Sequence, residues 1–226
     1  MKKLIRGIVD FRMNLKESYQ GLFAELAIKQ TPDALFIACS DSRVVPNTFA
    51  STNPGDLFVL RNVGNLIPPC GEDGIALGDK SEAAAIEYAV TTLKVSDIII
   101  CGHSECGAML ALLDDRKKLE TPNLRKWLKN GEGALNLLSQ GIILDPQLAK
   151  HNQLSQLNVL LQMANVKSYP SVKERVANGS LTVHGWWFDI AKADVYHYER
   201  NLNRFILIDE KEAEKMLSLA DQAFTQ

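Results

Sequence analysis

Two short, unbroken apolar runs limit what this chain can fold into: Leu35-Phe36-Ile37-Ala38 and Ile98-Ile99-Ile100-Cys101. Runs of this length without polar alternation suit strands covered on both faces. A third, Leu57-Phe58-Val59-Leu60, follows the turn Asn53-Pro54-Gly55-Asp56. Ser81 to Leu93 lies between the third run and the Ile98 run. It reads as a helix, with Glu82 near its start and Ile86, Val90 and Leu93 along one face. Strands that alternate with helices imply parallel βαβ units and an α/β fold.

The rest of the chain fills in around that unit. Residues 3–29 read as a helix whose stripe of Ile8, Phe11, Leu15, Tyr19, Leu22, Phe23 and Leu26 must be buried, either on its own domain or on a partner chain. Thr31-Pro32-Asp33 ends it. Residues 63–78 are rich in Gly and Pro and read as loop. Residues 121–178 read as mainly helical, with breaks near Gly131, Gly141, Pro146 and Pro170. Leu181–Ile190 and Arg204–Asp209 read as later strands, and a last helix is expected from about Glu210 to Phe224.

A length of 226 residues suits one domain with a helical extension. We divide it into a helical arm over 1–32, an α/β core over 33–208 and a C-terminal helix over 209–226. The net charge of -2 offers no basic footprint for nucleic acid. No apolar stretch reaches the roughly 18 residues of a membrane span. Asp10, Arg12, Lys16 and Glu17 interrupt the N-terminal apolar run too early for a signal peptide. A cytoplasmic location is therefore expected. In such a chain the four cysteines point to metal or catalytic use before disulfides.

Cys39, Asp41 and Arg43 follow the first strand. Alternation along an extended segment would put all three on one face at its carboxyl end. An Asp beside an Arg is held as the anion. His103 and Cys106 follow the Ile98 strand. With a helix starting near Ser104, they would share the face of its first turn. A thiolate there is favoured by free N–H groups, and Gly102 and Gly107 allow close backbone approach. Carboxyl strand ends are where open α/β sheets place ligands. If the two strands are neighbours, two thiolates and one imidazole converge, a donor set suited to zinc. Three ligands leave one position open, as in catalytic sites. Asp41 could fill that position or hydrogen-bond a water there. Arg43 decides, because a carboxylate held by Arg43 is turned from the metal.

With these residues the sequence resembles the β-class carbonic anhydrases. CSDSR at 39–43 and GHSECGA at 102–108 carry the resemblance, supported by RNVGN at 61–65, EYAV at 87–90 and HGWWFDI at 184–190. The resemblance implies a central sheet of about four parallel strands plus an antiparallel edge strand, flanked by helices. It implies a homodimer or a dimer of dimers, with the N-terminal helix lying across the partner. It implies one zinc per chain on Cys39, His103 and Cys106, and reversible hydration of carbon dioxide to bicarbonate by a zinc-bound hydroxide that the Asp41–Arg43 dyad orients. Substrate contacts are implied for Gln30 (across the dimer interface), for Phe58, Val63 and Tyr88 in the apolar pocket of the plant-like subgroup, and for Gly107. A bicarbonate-regulated subgroup carries a Trp, an Arg and a Tyr where this chain has Phe36, Arg61 and Phe188. That departure implies no accessory bicarbonate site and an open zinc.

His151, His184 and His197 are proton-shuttle candidates by residue type alone, with packing or surface roles favoured for each. Cys101 reads as a buried strand residue and Cys70 as a loop thiol. Other readings of the same residues are hydrolysis of carbonyl sulfide or carbon disulfide, a non-enzymatic zinc protein, and a thiol redox enzyme. The last is weakened by the lack of a CxxC motif.

Overall fold

The structure is a computed structural model and describes residues 1–223; the last three residues of the expected C-terminal helix lie outside the described residues. The chain begins with a helical rod made of α1 (Lys2–Asp10), a π-helical turn at Phe11–Leu15, and α2 (Lys16–Leu26). Then come β1 (Ala34–Cys39), α3 (Pro46–Phe49), β2 (Leu57–Asn62), α4 (Ser81–Glu87, continued by a π-helical turn over Tyr88–Leu93) and β3 (Asp97–His103). Four helices follow: α5 (Gly107–Leu113), α6 (Pro122–Trp127), α7 (Glu132–Ser139) and α8 (Lys150–Lys167). The chain then runs through α9 (Pro170–Ala177), β4 (Thr182–Asp189), β5 (Asp194–Glu199), β6 (Arg204–Leu207) and α10 (Glu210–Ala223).

The six strands form one sheet in the order β2-β1-β3-β4-β5-β6. The first four are mutually parallel, and β5 and β6 are added antiparallel. The single antiparallel edge strand expected from the resemblance is thus corrected to two. β5 was not anticipated: its Tyr-His-Tyr core is flanked by Asp194 and Glu199, so no apolar run marks it.

The sheet has two faces of different character. Leu35, Ile37, Ile98 and Ile100 are fully buried on one, where helical residues Ile86, Val90, Val159, Val166 and Val172 cover them. Full burial of such a side chain contributes about 1.5–3 kcal/mol. β3 and α8 are in close contact. A Cβ at Gly102 would stand 2.7 Å from Val159 Cγ2, so the glycine is needed for this packing. The other face carries a smaller cluster of Phe36, Ala38, Ile99, Cys101 and Phe188, closed by Phe49 and Trp186.

The N-terminal rod is different again. Residues 1–18 are all exposed, and Tyr19, Leu22 and Leu26 are only half-buried. Its apolar stripe, with Leu4, Ile5, Ile8 and Phe11 in solvent, is not covered by the described residues.

Candidate metal centre

Register brings the two motifs together. β1 and β3 are neighbours, with Ala38 opposite Cys101, so Cys39 and His103 leave adjacent strand ends. Cys39, His103 and Cys106 are buried, and one ligand atom from each lies within 4.8 Å of the others. The local reason for Cys106 differs from the sequence expectation. No helix begins near Ser104: His103 is the last residue of β3, α5 begins at Gly107, and Cys106 is its N-cap. Glu105 between them is left-handed, with φ of 55°. That bend, and not a helical turn, returns Cys106 to His103. The reasoning for Asp41 and Arg43 is corrected similarly. β1 ends at Cys39, and Asp41–Val44 is a turn closed by Val44 N–H on Asp41 O at 3.0 Å.

The electrostatics suit a cation. The His103 Nδ1–H donates to Ser104 O at 2.8 Å, and Nε2 is buried without a partner. That tautomer leaves an Nε2 lone pair free for a metal. Hydrogen bonding from Cys106 draws the Cys39 thiol down to about 4, assisted by the Gly64 N–H at 3.3 Å from Sγ. The same bond and burial push Cys106 up, so the two sulfurs share one proton. A soft divalent cation would displace it. Orphaned imidazole and paired thiols are a donor set that fits zinc and not a hard cation such as magnesium.

Asp41 is held away from this cluster. Its carboxylate takes a two-pronged contact from Arg43, Nε to Oδ1 at 2.9 Å and Nη2 to Oδ2 at 2.7 Å, and the Arg43 backbone N–H adds a third bond at 3.0 Å. The Arg43 side-chain bond holds the Asp41 carboxyl well below the usual carboxylate range. Arg61 braces the same turn. Its Nε and Nη2 donate to Cys39 O at 3.0 and 2.9 Å, and Nη2 also donates to Asp41 O at 2.6 Å.

Cys39, Ser40 and Asp41 open into a cavity of about 290 Å³, lined further by Val63, Gly107, Ala108 and Leu128. Nothing stands within 4 Å of a Cβ built on Gly107, so this residue leaves the space free. Of the expected substrate residues, Val63 and Gly107 line the cavity. Gln30, Phe58 and Tyr88 do not. Asn62 pairs with Cys39, and Phe58 is four residues back along β2. That places Phe58 about 13 Å down the strand from the metal end. It packs on Tyr88 at 5.8 Å between ring centroids, and Gln30 is exposed.

Phe36 and Phe188 bring no polar atom of their own and pack on other rings. Phe49 stacks on Phe188 at 4.7 Å and lies 6.0 Å from Phe36. Among the histidines, His184 pairs with Asp97 and His197 with Glu212, whereas His151 lies 3.0 Å from Glu105. Cys70 and Cys101 are free thiols; Cys101 is buried in the sheet.

Sequence reasoning missed the groups that position the cluster. Ser155 Oγ donates to His103 O at 2.7 Å, and Asn158 Nδ2 donates to Gly64 O at 3.0 Å. Both come from α8, whose buried polar residues disguise it as a surface helix. A second cleft of about 360 Å³ is lined by Val90, Lys94, Glu174 and Arg175, and no residue of the cluster lines it. Arg175 there donates to Val90 O and Ser180 O.

Comparison with known proteins agrees with this geometry. Residues 34–195 match the model of the carbonic anhydrase family. The chain is 37% identical to a carbonic anhydrase of Synechocystis, over 91% of this chain and 74% of that one. It is 36% identical to a carbonic anhydrase of Pseudomonas aeruginosa, over 93% of each. Among solved structures, the beta-carbonic anhydrase CcaA superposes with a TM-score of 0.84 at 37% identity, covering 93% of this chain and 92% of that one. A structure reported with two tetrameric beta-carbonic anhydrases of Sordaria macrospora gives 0.75 at 31% identity, covering 87% and 95%.

Proposed function

The chain belongs to the β-class carbonic anhydrases, and from that premise we propose that it holds one zinc ion on Cys39, His103 and Cys106 and hydrates carbon dioxide reversibly, with Asp41 and Arg43 beside the metal. The observation that carries the proposal is the buried, unpartnered His103 Nε2 beside the Cys39 and Cys106 sulfurs. Zinc bound there would acidify a water and so supply a nucleophile near neutral pH. The residues of the chain do the rest. Asp41, kept anionic by Arg43, accepts the hydrogen bond of the attacking oxygen and aims its lone pair into the cavity. Val63, Ala108 and Leu128 give carbon dioxide an apolar wall. Gly107 leaves it room.

Gln30, Phe58 and Tyr88 act on a partner's site in this reading. The uncovered stripe of the N-terminal rod supports a homodimer, with the arm over 1–32 crossing onto the second α/β core. Dimers of dimers are compatible with it, and the likeness of Phe58, Val63 and Tyr88 to the plant-like pocket supports that subgroup. Four free thiols suit a cytoplasmic setting. No described helix is long and apolar enough to cross a membrane.

Metal analysis and stopped-flow carbon dioxide hydration on wild type and Cys106→Ser test the proposal. One zinc per chain and rapid hydration are expected for wild type, with both reduced in the variant. A wild type that hydrates carbon dioxide after complete metal removal would refute it.

A further inference from the structure

Glu105 is an L-residue in the left-handed region, a conformation disfavoured by roughly a factor of ten. Its neighbours on α8 hold it there. Asn152 Oδ1 accepts from the Glu105 N–H at 2.8 Å, and Asn152 Nδ2 donates to Glu105 Oε1 at 3.0 Å. One side chain thus grips both the backbone and the carboxylate of the strained residue. His151 Nε2 lies 3.0 Å from Glu105 Oε2, within ion-pair range but not aligned as a hydrogen bond. In this posture the Glu105 carbonyl accepts from Arg43 Nη2 at 3.0 Å. The same nitrogen holds Asp41 Oδ2 at 2.7 Å.

A continuous chain of contacts therefore runs from α8 through Glu105 to Arg43 and ends on Asp41. We propose that Asn152 is a positioning residue for the reaction: by fixing Glu105 in its bend it anchors Arg43, and so keeps Asp41 free of the metal. The inference rests on the zinc reading above. It adds that the open arrangement is enforced from a helix that touches neither metal nor substrate. The physical logic is direct. Without Asn152, Glu105 relaxes toward a right-handed or extended conformation and its carbonyl turns away. Arg43, itself exposed, then loses one of its two anchors. Asp41 keeps its bonds to Arg43, but a guanidinium with one anchor fewer lets the carboxylate turn more readily toward the position that the attacking water needs.

The test uses zinc-loaded full-length protein. Asn152→Ala should lower kcat/KM about tenfold at equal zinc content, and its crystal structure should show Arg43 off Glu105 O with Asp41 turned toward zinc. The variant Asn152→Ala/Glu105→Gly should regain most of the lost kcat/KM, because glycine adopts the left-handed bend without help. A purely structural Asn152 would lower thermal stability without this rescue. Unchanged kcat/KM with Asp41 still on Arg43, or no recovery in the double variant, overturns the inference. Wild type measured alongside separates the two readings. If it lacks zinc or hydration activity, the zinc reading fails, whereas the position of Arg43 in the crystals still decides the role of Asn152.

Discussion

Replacing Arg61 by leucine should damage the site more than the exposure of Arg61 suggests. Arg61 was expected only as one member of a missing bicarbonate site. In the structure its guanidinium caps two backbone carbonyls, Cys39 O and Asp41 O. The two bonds to Cys39 O share a single acceptor. Cys39 is 5% exposed, so its carbonyl has little access to water once the guanidinium is gone. The bond to Asp41 O is exposed and adds little. One charge-assisted bond to a buried acceptor is worth roughly 1.5–3 kcal/mol. The partial exposure of Arg61 puts the expected loss near 2 kcal/mol, or about 4–8 °C in Tm for a chain of this size. Activity should fall further than stability, about 100-fold in kcat/KM, since the freed turn carries both Cys39 and Asp41 and misplacement of about 1 Å has that effect. Arg61→Lys should recover only part of either loss, because an ammonium lacks the fork. Thermal unfolding, zinc content and stopped-flow hydration read all three quantities. Arg61→Leu with wild-type Tm and wild-type kcat/KM would refute the reasoning. Bicarbonate inhibition of wild type should be non-cooperative, because Phe36 and Phe188 carry no hydrogen-bond donor where the regulated subgroup has a Trp and a Tyr, and Phe49 packs on both.

Three further outcomes follow from the geometry. Arg43 depresses the Asp41 pKa in the folded state. The stability it contributes is therefore full above the unfolded value of about 3.9 and is lost as pH falls through the lower folded value. Urea titrations of wild type and Asp41→Asn should differ by a constant amount above about pH 5 and converge in acid; a gap that widens in acid contradicts the pairing. In chelated protein, Cys39 lines the cavity and its thiol is drawn down to about 4, so iodoacetamide should label it first and at nearly equal rates at pH 6 and pH 8. Preferential labelling of Cys70 at pH 6, whose thiol is pushed up by burial, would contradict this. Ile8→Glu with Phe11→Asp places charge on the uncovered stripe of the N-terminal rod. Sedimentation should shift toward monomer and hydration should fall, whereas a fully active monomer would show that Gln30, Phe58 and Tyr88 act on no partner.

Much of the fold was legible because parallel, doubly covered strands are written as continuous apolar runs. β1 and β3 needed nothing else, and the ligands stand where those runs stop. β5 was illegible because Asp194 and Glu199 frame a polar-aromatic strand that sits near the edge of the sheet. The loop at Glu105 was misread as helix because Ser104 and Cys106 suit a helix start, and only three-dimensional contacts reveal the left-handed residue between them. The role of Arg61 depends on Cys39 pairing with Asn62, a register no single segment encodes. The contribution of α8 was hidden for another reason. Ser155, Asn158 and Gln162 are buried and hydrogen-bonded to the backbone of the β3 end and of the loop after β2, so the helix carries no clean apolar stripe. Phe58 and Tyr88 stand away from the cavity of their own chain, and a role for them at a partner's site is a matter of assembly that no local pattern encodes.

The most direct test of the account is zinc content and stopped-flow carbon dioxide hydration of Asp41→Asn beside wild type. Cys39, His103 and Cys106 converge without help from Asp41, whose carboxylate is held by Arg43. The variant should therefore keep one zinc per chain and lose hydration activity by roughly 100-fold or more, the scale of removing a positioned acid–base partner. Loss of zinc together with activity would make Asp41 a ligand, and full activity with zinc retained would remove it from the mechanism; either result contradicts the account.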